Sequence, residues 1–346
     1  MSDGITENDQ MMYVGETPWH KKGVKLDRVA TAQEAIEASG LDWPVVTEPV
    51  VTAYGKTLKG KFITIRDDTK EPLGVVGRLY EPLQNVDAFR FFDSVCEDPG
   101  GPKYVTAGSI LGGMRIWILA KLPDVIKVTN DDIVEEFILL TNGFDGWHPV
   151  ELFWTPIRVV CQNTLAMAEA GMTNLNGIKF KHIGAWQDKV ELAQQALSIA
   201  HAQHDHMSDV IDQLVSYQPN VAEVEQIFKL LVPASETAHS QTRATRLRTE
   251  LRKLFEGGAG NALPGVSGTG WALYNAVTEY TDHAMPLHKS ADMDEKRLMS
   301  NWWGSGMEKK QDALNLLVGV ASGKIALPTR IEESLDILGP AATSAN

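Results

Sequence analysis

Residues 103–122 read KYVTAGSILGGMRIWILAKL. Two runs rich in Val, Ile, Thr and Trp, KYVTAGS (103–109) and GMRIWILAKL (113–122), are separated only by Ile110, Leu111 and Gly112. A parallel crossover needs a dozen or more residues between its strands, so these two runs predict an antiparallel hairpin. A sheet organised around it is mainly antiparallel, which disfavours a doubly wound fold.

The neighbouring sequence extends this reading. WPVVTEPVV (43–51), GKFITIR (60–66), PLGVVG (72–77) and EEFILLTN (135–142) are β-branched or aromatic runs bounded by Gly, Pro or Asp, and they predict strands. AQEAIEAS (32–39), closed by Gly40, predicts a helix with a glycine stop. NVDAFRFFDSV (85–95) places Val86, Phe89, Phe92 and Val95 at spacing three behind Asn85 as N-cap, a helix packed on the sheet.

After about residue 160 the rhythm becomes helical. Val190, Ala193, Leu197, Ala200, His204, Met207, Ile211 and Leu214 form a stripe at spacings of three and four. Further helices are predicted at 221–231, 242–255, 270–283 and 307–321, with the glycine-rich loop GGAGNALPGVSG (257–268) between the second and third of these four. The class is α+β: a mainly antiparallel sheet domain with flanking helices over 11–160, a mostly helical C-terminal half packed on it over 161–325, and a flexible tail over 326–346.

Composition bounds the function. The 346 residues are 43% hydrophobic and 22% charged, an ordinary globular balance. A net charge of -13 argues against a protein that coats polyanions through a general basic field, yet leaves room for a local basic groove. Cys96 and Cys161 are too few and too far apart for a disulfide framework or a zinc quartet, and Cys161 reads as a small buried thiol. No apolar run approaches a membrane span and the start MSDGITENDQ has no signal-peptide layout, so the expectation is a cytoplasmic protein that makes no use of a membrane or a cofactor.

Five stretches carry candidate chemistry. PWHKKG (18–23) sets Trp19 beside His20, Lys21 and Lys22; it reads as a Pro-initiated, Gly-terminated turn whose cations are either a solvated edge or one wall of an anion-binding groove. HAQHDH puts His201, His204 and Asp205 at helical i, i+3 and i+4, where they can converge on a metal; with no second cluster to complete the ligand set, the reading is no metal and a core His204 flanked by solvated neighbours. RATRLRTELRKLF places Arg243, Arg246, Arg248, Arg252 and Lys253 on one helix against Glu250 alone, suited to phosphates or else to a neutralised surface. GTGWALYNAVTEYTDH has an apolar face and a polar face of Asn275, Thr278, Glu279, Asp282 and His283, which is either acid–base equipment or a solvated surface, and its glycines leave the helix N-terminus open to an anion. NGFDGWHPVELFWTPIRVVCQNTL (142–165) interleaves Asn142, Asp145, His148, Arg158, Gln162 and Asn163 with bulky apolar groups, as a junction between the last strand and the first helix of the second half.

The order of MMYVGETPWHKKG, PLGVVGRLYEPLQNVDAF, NGFDGW with TPIRVVCQNTL, and GTGWALYNAVTEYTDH resembles the phage/plasmid-like protein family, over residues 11–323. That family is built on a domain of unknown function found in bacteriophages, prophages and plasmids. Trp147 and His148 stand where its members often carry small polar residues. The resemblance implies DNA metabolism in the host cytoplasm.

The leading expectation is non-catalytic binding or annealing of single-stranded DNA in recombination or replication. Arg243, Arg246, Arg248 and Arg252 with Lys21 and Lys22 would hold phosphates, Trp19, Trp302 and Trp303 would stack bases, and a ring or filament of copies would follow. Alternatives are a metal-dependent enzyme acting on nucleic acid or nucleotide through Asp145, His148, Glu279, Asp282 and His283, and a protein that engages a host or phage factor.

Overall fold

The computed structural model describes residues 11–14, 23–28, 30–96, 103–158, 163–164, 178–183, 190–288, 296–297, 300–301 and 304–327, with backbone alone over 91–96, 158, 163–164 and 190–201. In chain order the elements are β1 (Met11–Val14), β2 (Val24–Leu26), α1 (Ala32–Ala38), β3 (Val45–Val51), β4 (Thr57–Arg66), β5 (Pro72–Gly77), α2 (Asn85–Cys96), β6 (Lys103–Ile110), β7 (Arg115–Lys127), β8 (Ile133–Gly143), β9 (Val150–Arg158), β10 (Asn163–Thr164), β11 (Ile178–Phe180), α3 (Val190–Ser216), α4 (Val221–Leu231), α5 (Ala238–Gly257), α6 (Gly270–Glu279) and α7 (Ser305–Ala321). A 3-10 turn, Leu111–Gly113, joins β6 to β7, and a π-helical turn, Tyr280–Ala284, continues α6.

The hairpin of 103–122 forms as the connection length requires. Ile110 opposes Arg115 and Lys103 opposes Lys121. Its turn runs through left-handed backbone at Leu111, Gly112 and Gly113, with φ of 56°, 69° and 92°, and a Cβ on Gly113 would stand 3.0 Å from the Trp43 ring. Glycine there serves both the turn and the packing.

Around this hairpin an eight-stranded sheet runs in the order β10-β9-β8-β7-β6-β1-β2, with β11 also pairing with β9. Every pairing is antiparallel except that of β1 with β2. A second sheet, β3-β4-β5, is antiparallel throughout. The antiparallel α+β architecture and the concentration of helices in the C-terminal half both match the sequence reading.

The central strands are buried on both faces. Ile116, Ile118, Ala120, Ile138 and Leu140 belong to the main core, while Trp117, Leu119, Phe137 and Leu139, offset by one residue, form a smaller cluster on the opposite face. The main core continues without interruption into Met207, Ile211 and Leu214 of α3, Ile227 and Phe228 of α4, Trp271, Leu273 and Tyr274 of α6, and Leu314 and Leu317 of α7. The Trp271 Nε1–H donates to Asp132 Oδ2 at 3.0 Å, binding α6 to the turn before β8.

Local signals account for most boundaries. Asn220 caps α4 in a reciprocal box with Glu223, an arrangement worth about 1 kcal/mol. In α2 the amide of Ala88 donates to Gln84 O at 3.0 Å, so Gln84 rather than Asn85 stands at the cap, while Asn85 Nδ2 donates to Trp43 O at 3.2 Å. EEFILLTN is not the last strand: ELFWTPIR forms β9, with Pro156 opposite Glu136. Pro156 and the mixed polarity of the run obscured its extended pattern.

The small sheet clamps the loop between β8 and β9. Thr64 Oγ1 donates to Phe144 O at 2.6 Å, the Trp43 and Phe144 rings meet edge-on at 5.9 Å, and the Arg66 guanidinium lies over Trp43 at 4.5 Å. A Cβ on Gly74 would collide with the Asp145 backbone, so only glycine admits this approach.

Candidate functional site

The cationic run lies on α5, whose Thr237 cap accepts from Ser240 N and whose Ala244 and Leu251 are buried. Its arginines part into two sets. Arg248 donates from Nε and a terminal nitrogen to Val232 O at 3.1 and 2.7 Å, tying α5 to the chain just past α4. Arg252 pairs with Glu225 and lies 5.8 Å over the Phe228 ring.

Arg243 and Arg246 instead are exposed, form no ion pair among the described residues, and line an open groove of about 1200 Å³ between α5, the π-helical turn and the start of α7. Leu247, Tyr280, Met285 and Leu287 give the groove an apolar lining. Lys296 and Lys309 add two cations, His239 and His288 two imidazoles, and Glu250 is the one carboxylate among its described lining residues. Four fixed positive charges against one negative make a local positive field in an acidic protein. Burial raises the Tyr280 phenol above its ordinary value, with the nearby Arg243 charge opposing that shift.

The predicted polar face of α6 is not a solvated face. Asn275 and Thr278 are fully buried and Asp282 nearly so, because α6 is surrounded by α3, α5 and α7. Asp282 accepts from Lys310 Nζ at 2.9 Å in a fully enclosed ion pair, and burial lowers the Lys310 ammonium below its ordinary value against the pull of Asp282. Glu279 Oε2 accepts from Ala259 N at 2.9 Å, bracing the glycine-rich loop, and His283 alone of the three is exposed. The single predicted helix 270–283 changes to π geometry at Tyr280, the residue that lines the groove; such turns recur at functional sites. The helix N-terminus offers no anion site: Thr269 caps it, Gly270 N donates to Tyr217 O at 2.8 Å, and both residues are buried.

Asp145 and His148 do come together. Asp145 Oδ1 accepts from Trp147 N and His148 N at 2.9 and 3.0 Å, and Oδ2 lies 2.5 Å from His148 Nδ1. Arg115 bonds the same imidazole. Burial raises the Asp145 carboxyl, but the two amides and the imidazole outweigh it, leaving it below the usual carboxylate range. Trp147 projects from this turn, 86% exposed.

His204 has a partner that no local pattern announces. Its Nδ1 stands 2.6 Å from Oε2 of Glu136, whose side chain is 1% exposed on β8. Burial raises the Glu136 carboxyl, with His204 the main opposing influence. Asp205 is exposed, and among the described residues no group of three or more His, Cys, Asp and Glu side chains gathers as a metal site. Trp19, Lys21, Lys22, Cys161, Gln162, Trp302 and Trp303, the side chains of Arg158, Asn163 and His201, and the tail from 328 onward lie outside the described residues. Among the described residues no helix is long and apolar enough to cross a membrane.

The family model for a domain of unknown function (DUF932) matches residues 72–302, taking in the hairpin, Asp145, His148 and most of the groove. No curated protein and no solved structure matches.

Proposed function

Since the chain belongs to the family of a domain of unknown function, DUF932, a description that assigns no chemistry, we propose from the groove itself that it binds single-stranded nucleic acid without cleaving it. The observation that carries this reading is the pair Arg243 and Arg246, exposed and free of ion pairs among the described residues, on one wall of a groove with an apolar lining and only one described carboxylate. The groove exceeds the roughly 300–1,000 Å³ of small-ligand sites, which suits a polymer segment. Cations beside a Tyr and apolar side chains are the equipment of strand binding, where phosphates are held by charge and bases by stacking.

In this proposal the binding serves recombination or replication, a role suggested by the resemblance to phage and plasmid proteins, with annealing by assembled copies as the wider role. The test is fluorescence anisotropy of labelled oligo(dT) across a salt series, with sedimentation of the bound form. Arg243→Ala with Arg246→Ala is expected to weaken binding at least about tenfold and to lower the salt slope by about 1.4, two contacts at about 0.7 each. Wild-type protein that leaves oligonucleotides unbound at low salt refutes the reading.

A second reading is favoured by the Asp145–His148 pair, in which Asp145 orients a half-exposed imidazole that becomes a general base for chemistry on nucleic acid or nucleotide once substrate draws Arg115 away from its Nε2. His148→Gln is then expected to abolish nuclease or nucleotide hydrolysis in the presence of added divalent metal while leaving oligonucleotide affinity unchanged. No turnover by the wild type under those conditions removes it.

A further inference from the structure

The stretch PVVTAYGKTLKGK, 49–61, contains three lysines and no acid in a chain of net charge -13. It forms the end of the β3–β4 hairpin. Thr57 opposes Val51 and Phe62 opposes Pro49, so the four residues Leu58–Lys61 stand against Val50 alone, an enlarged irregular bulge. Gly60, at φ 73°, carries the bulge through left-handed backbone, and a Cβ at Gly55 or Gly60 would meet nothing within 4 Å. The tip is closed by Thr52 N donating to Lys56 O at 2.8 Å, Gly55 N to Thr52 O at 2.9 Å and Lys56 N to Thr52 Oγ1 at 3.1 Å.

This arm owes nothing to the core: no residue from Val51 to Lys61 is buried. Tyr54 at its tip is 92% exposed, and Val51 and Leu58 are exposed beside it. Lys56, Lys59 and Lys61 make no ion pair among the described residues. Lysines guard edge strands against edge-to-edge pairing, but Lys59 and Lys61 lie on β4, the central strand of its sheet, and a purely protective arm has no use for a fully presented tyrosine between two exposed aliphatic side chains. An aromatic platform flanked by unneutralised cations and no acid is complementary to a single strand, with charge for the phosphates and a ring for a base.

We propose that this β-arm is a second nucleic-acid contact, in which Lys56, Lys59 and Lys61 hold phosphates and Tyr54 stacks on a base. The inference rests on the single-strand reading above and names a second part of the surface that the polymer touches.

The experiment uses the full chain and labelled oligo(dT) over a salt series. Lys56→Ala, Lys59→Ala and Lys61→Ala together are expected to lower the slope of log affinity against log salt by about 2, at about 0.7 per contact, with the Lys→Arg triple retaining it. Tyr54→Ala is expected to cost about tenfold in affinity with the slope unchanged, and Tyr54→Trp to preserve binding. Because these side chains are exposed, thermal melts of all the variants should superimpose on the wild type. Arm variants that bind oligo(dT) with wild-type affinity and slope overturn the inference, and do so equally if they have lost binding of polyglutamate, which would assign the arm to an acidic protein. If Arg243→Ala with Arg246→Ala binds normally while the arm variants do not, the groove reading fails and the arm stands. A wild-type chain that binds no oligonucleotide removes both.

Discussion

Glu136 brings a carboxylate into the core, and His204 is what makes that tolerable. The side chain is 1% exposed and the imidazole nitrogen stands 2.6 Å away. Burial holds the folded-state pKa of Glu136 above 4.5, the ordinary value, so above that point the folded state keeps a proton that the unfolded state has released. Folded stability from this group therefore falls as pH rises through the window above 4.5. Removing His204 strips the carboxylate of its counterpart and pushes its pKa higher. His204→Ala is thus expected to destabilise the fold by up to about 3 kcal/mol at neutral pH, the range for breaking a largely buried pair, and by clearly less near pH 5. Glu136→Gln in the same background should flatten that pH dependence. Urea melts at the two pH values decide it: an equal loss at both means that the pair is not ionised. The sequence shows His204 on the apolar stripe of α3 but not its partner 68 residues earlier. Within the predicted strand EEFILLTN nothing local marks which of Glu135 and Glu136 turns inward. The pleat sends Glu135 to Lys121 and Glu136 inward.

At the scale of elements, α5 divides its arginines by geometry that was present in the sequence all along. At about 100° per residue, Arg243 and Arg246 share one face, and Arg248 and Arg252 share the opposite one. Reading the run as a single basic surface missed that division. The outward pair lines the groove, whereas Arg248 closes the end of α4 and Arg252 pairs with Glu225. Arg248→Ala should lower stability by about 1–2 kcal/mol, since a partly buried carbonyl at Val232 loses a charged donor. Arg246→Ala should leave stability unchanged and affect only binding. Chemical melts beside the anisotropy assay separate the two, and a destabilised Arg246→Ala would mean that this side chain has a structural partner. Element boundaries were legible where capping chemistry is local, as at Asn220 and Glu223 of α4. They were not where neighbours decide: the shift to π geometry at Tyr280 leaves the apolar stripe of α6 unbroken, and the burial of Asp282 depends on Lys310, 28 residues later.

For the whole molecule, the change of rhythm near residue 160 marks a change of secondary structure without a matching break in the core. Buried side chains run continuously from Met12 and Ile118 on the sheet to Trp271 and Leu317 among the helices, with Asp132 and Trp271 hydrogen-bonded across the two halves. A helical region cut from the sheet would expose Met207, Ile211 and Leu214 together with the face of α6, at about 25 cal/mol for each Å² of apolar surface returned to water. Neither half then has a closed core of its own. The full chain is accordingly expected to unfold in one transition that coincides by tryptophan fluorescence and far-ultraviolet circular dichroism, the signature of a single cooperative unit. Asp132→Ala should move that transition down by about 1–3 kcal/mol, the cost of losing a buried bond to a charged acceptor, without splitting it. Two resolved transitions in the wild type would show that the halves fold independently. A split that arises only in Asp132→Ala would show instead that the Trp271 bond couples two otherwise separable units, and it would make the groove, which lies wholly among the helices, a site whose shape the sheet does not control.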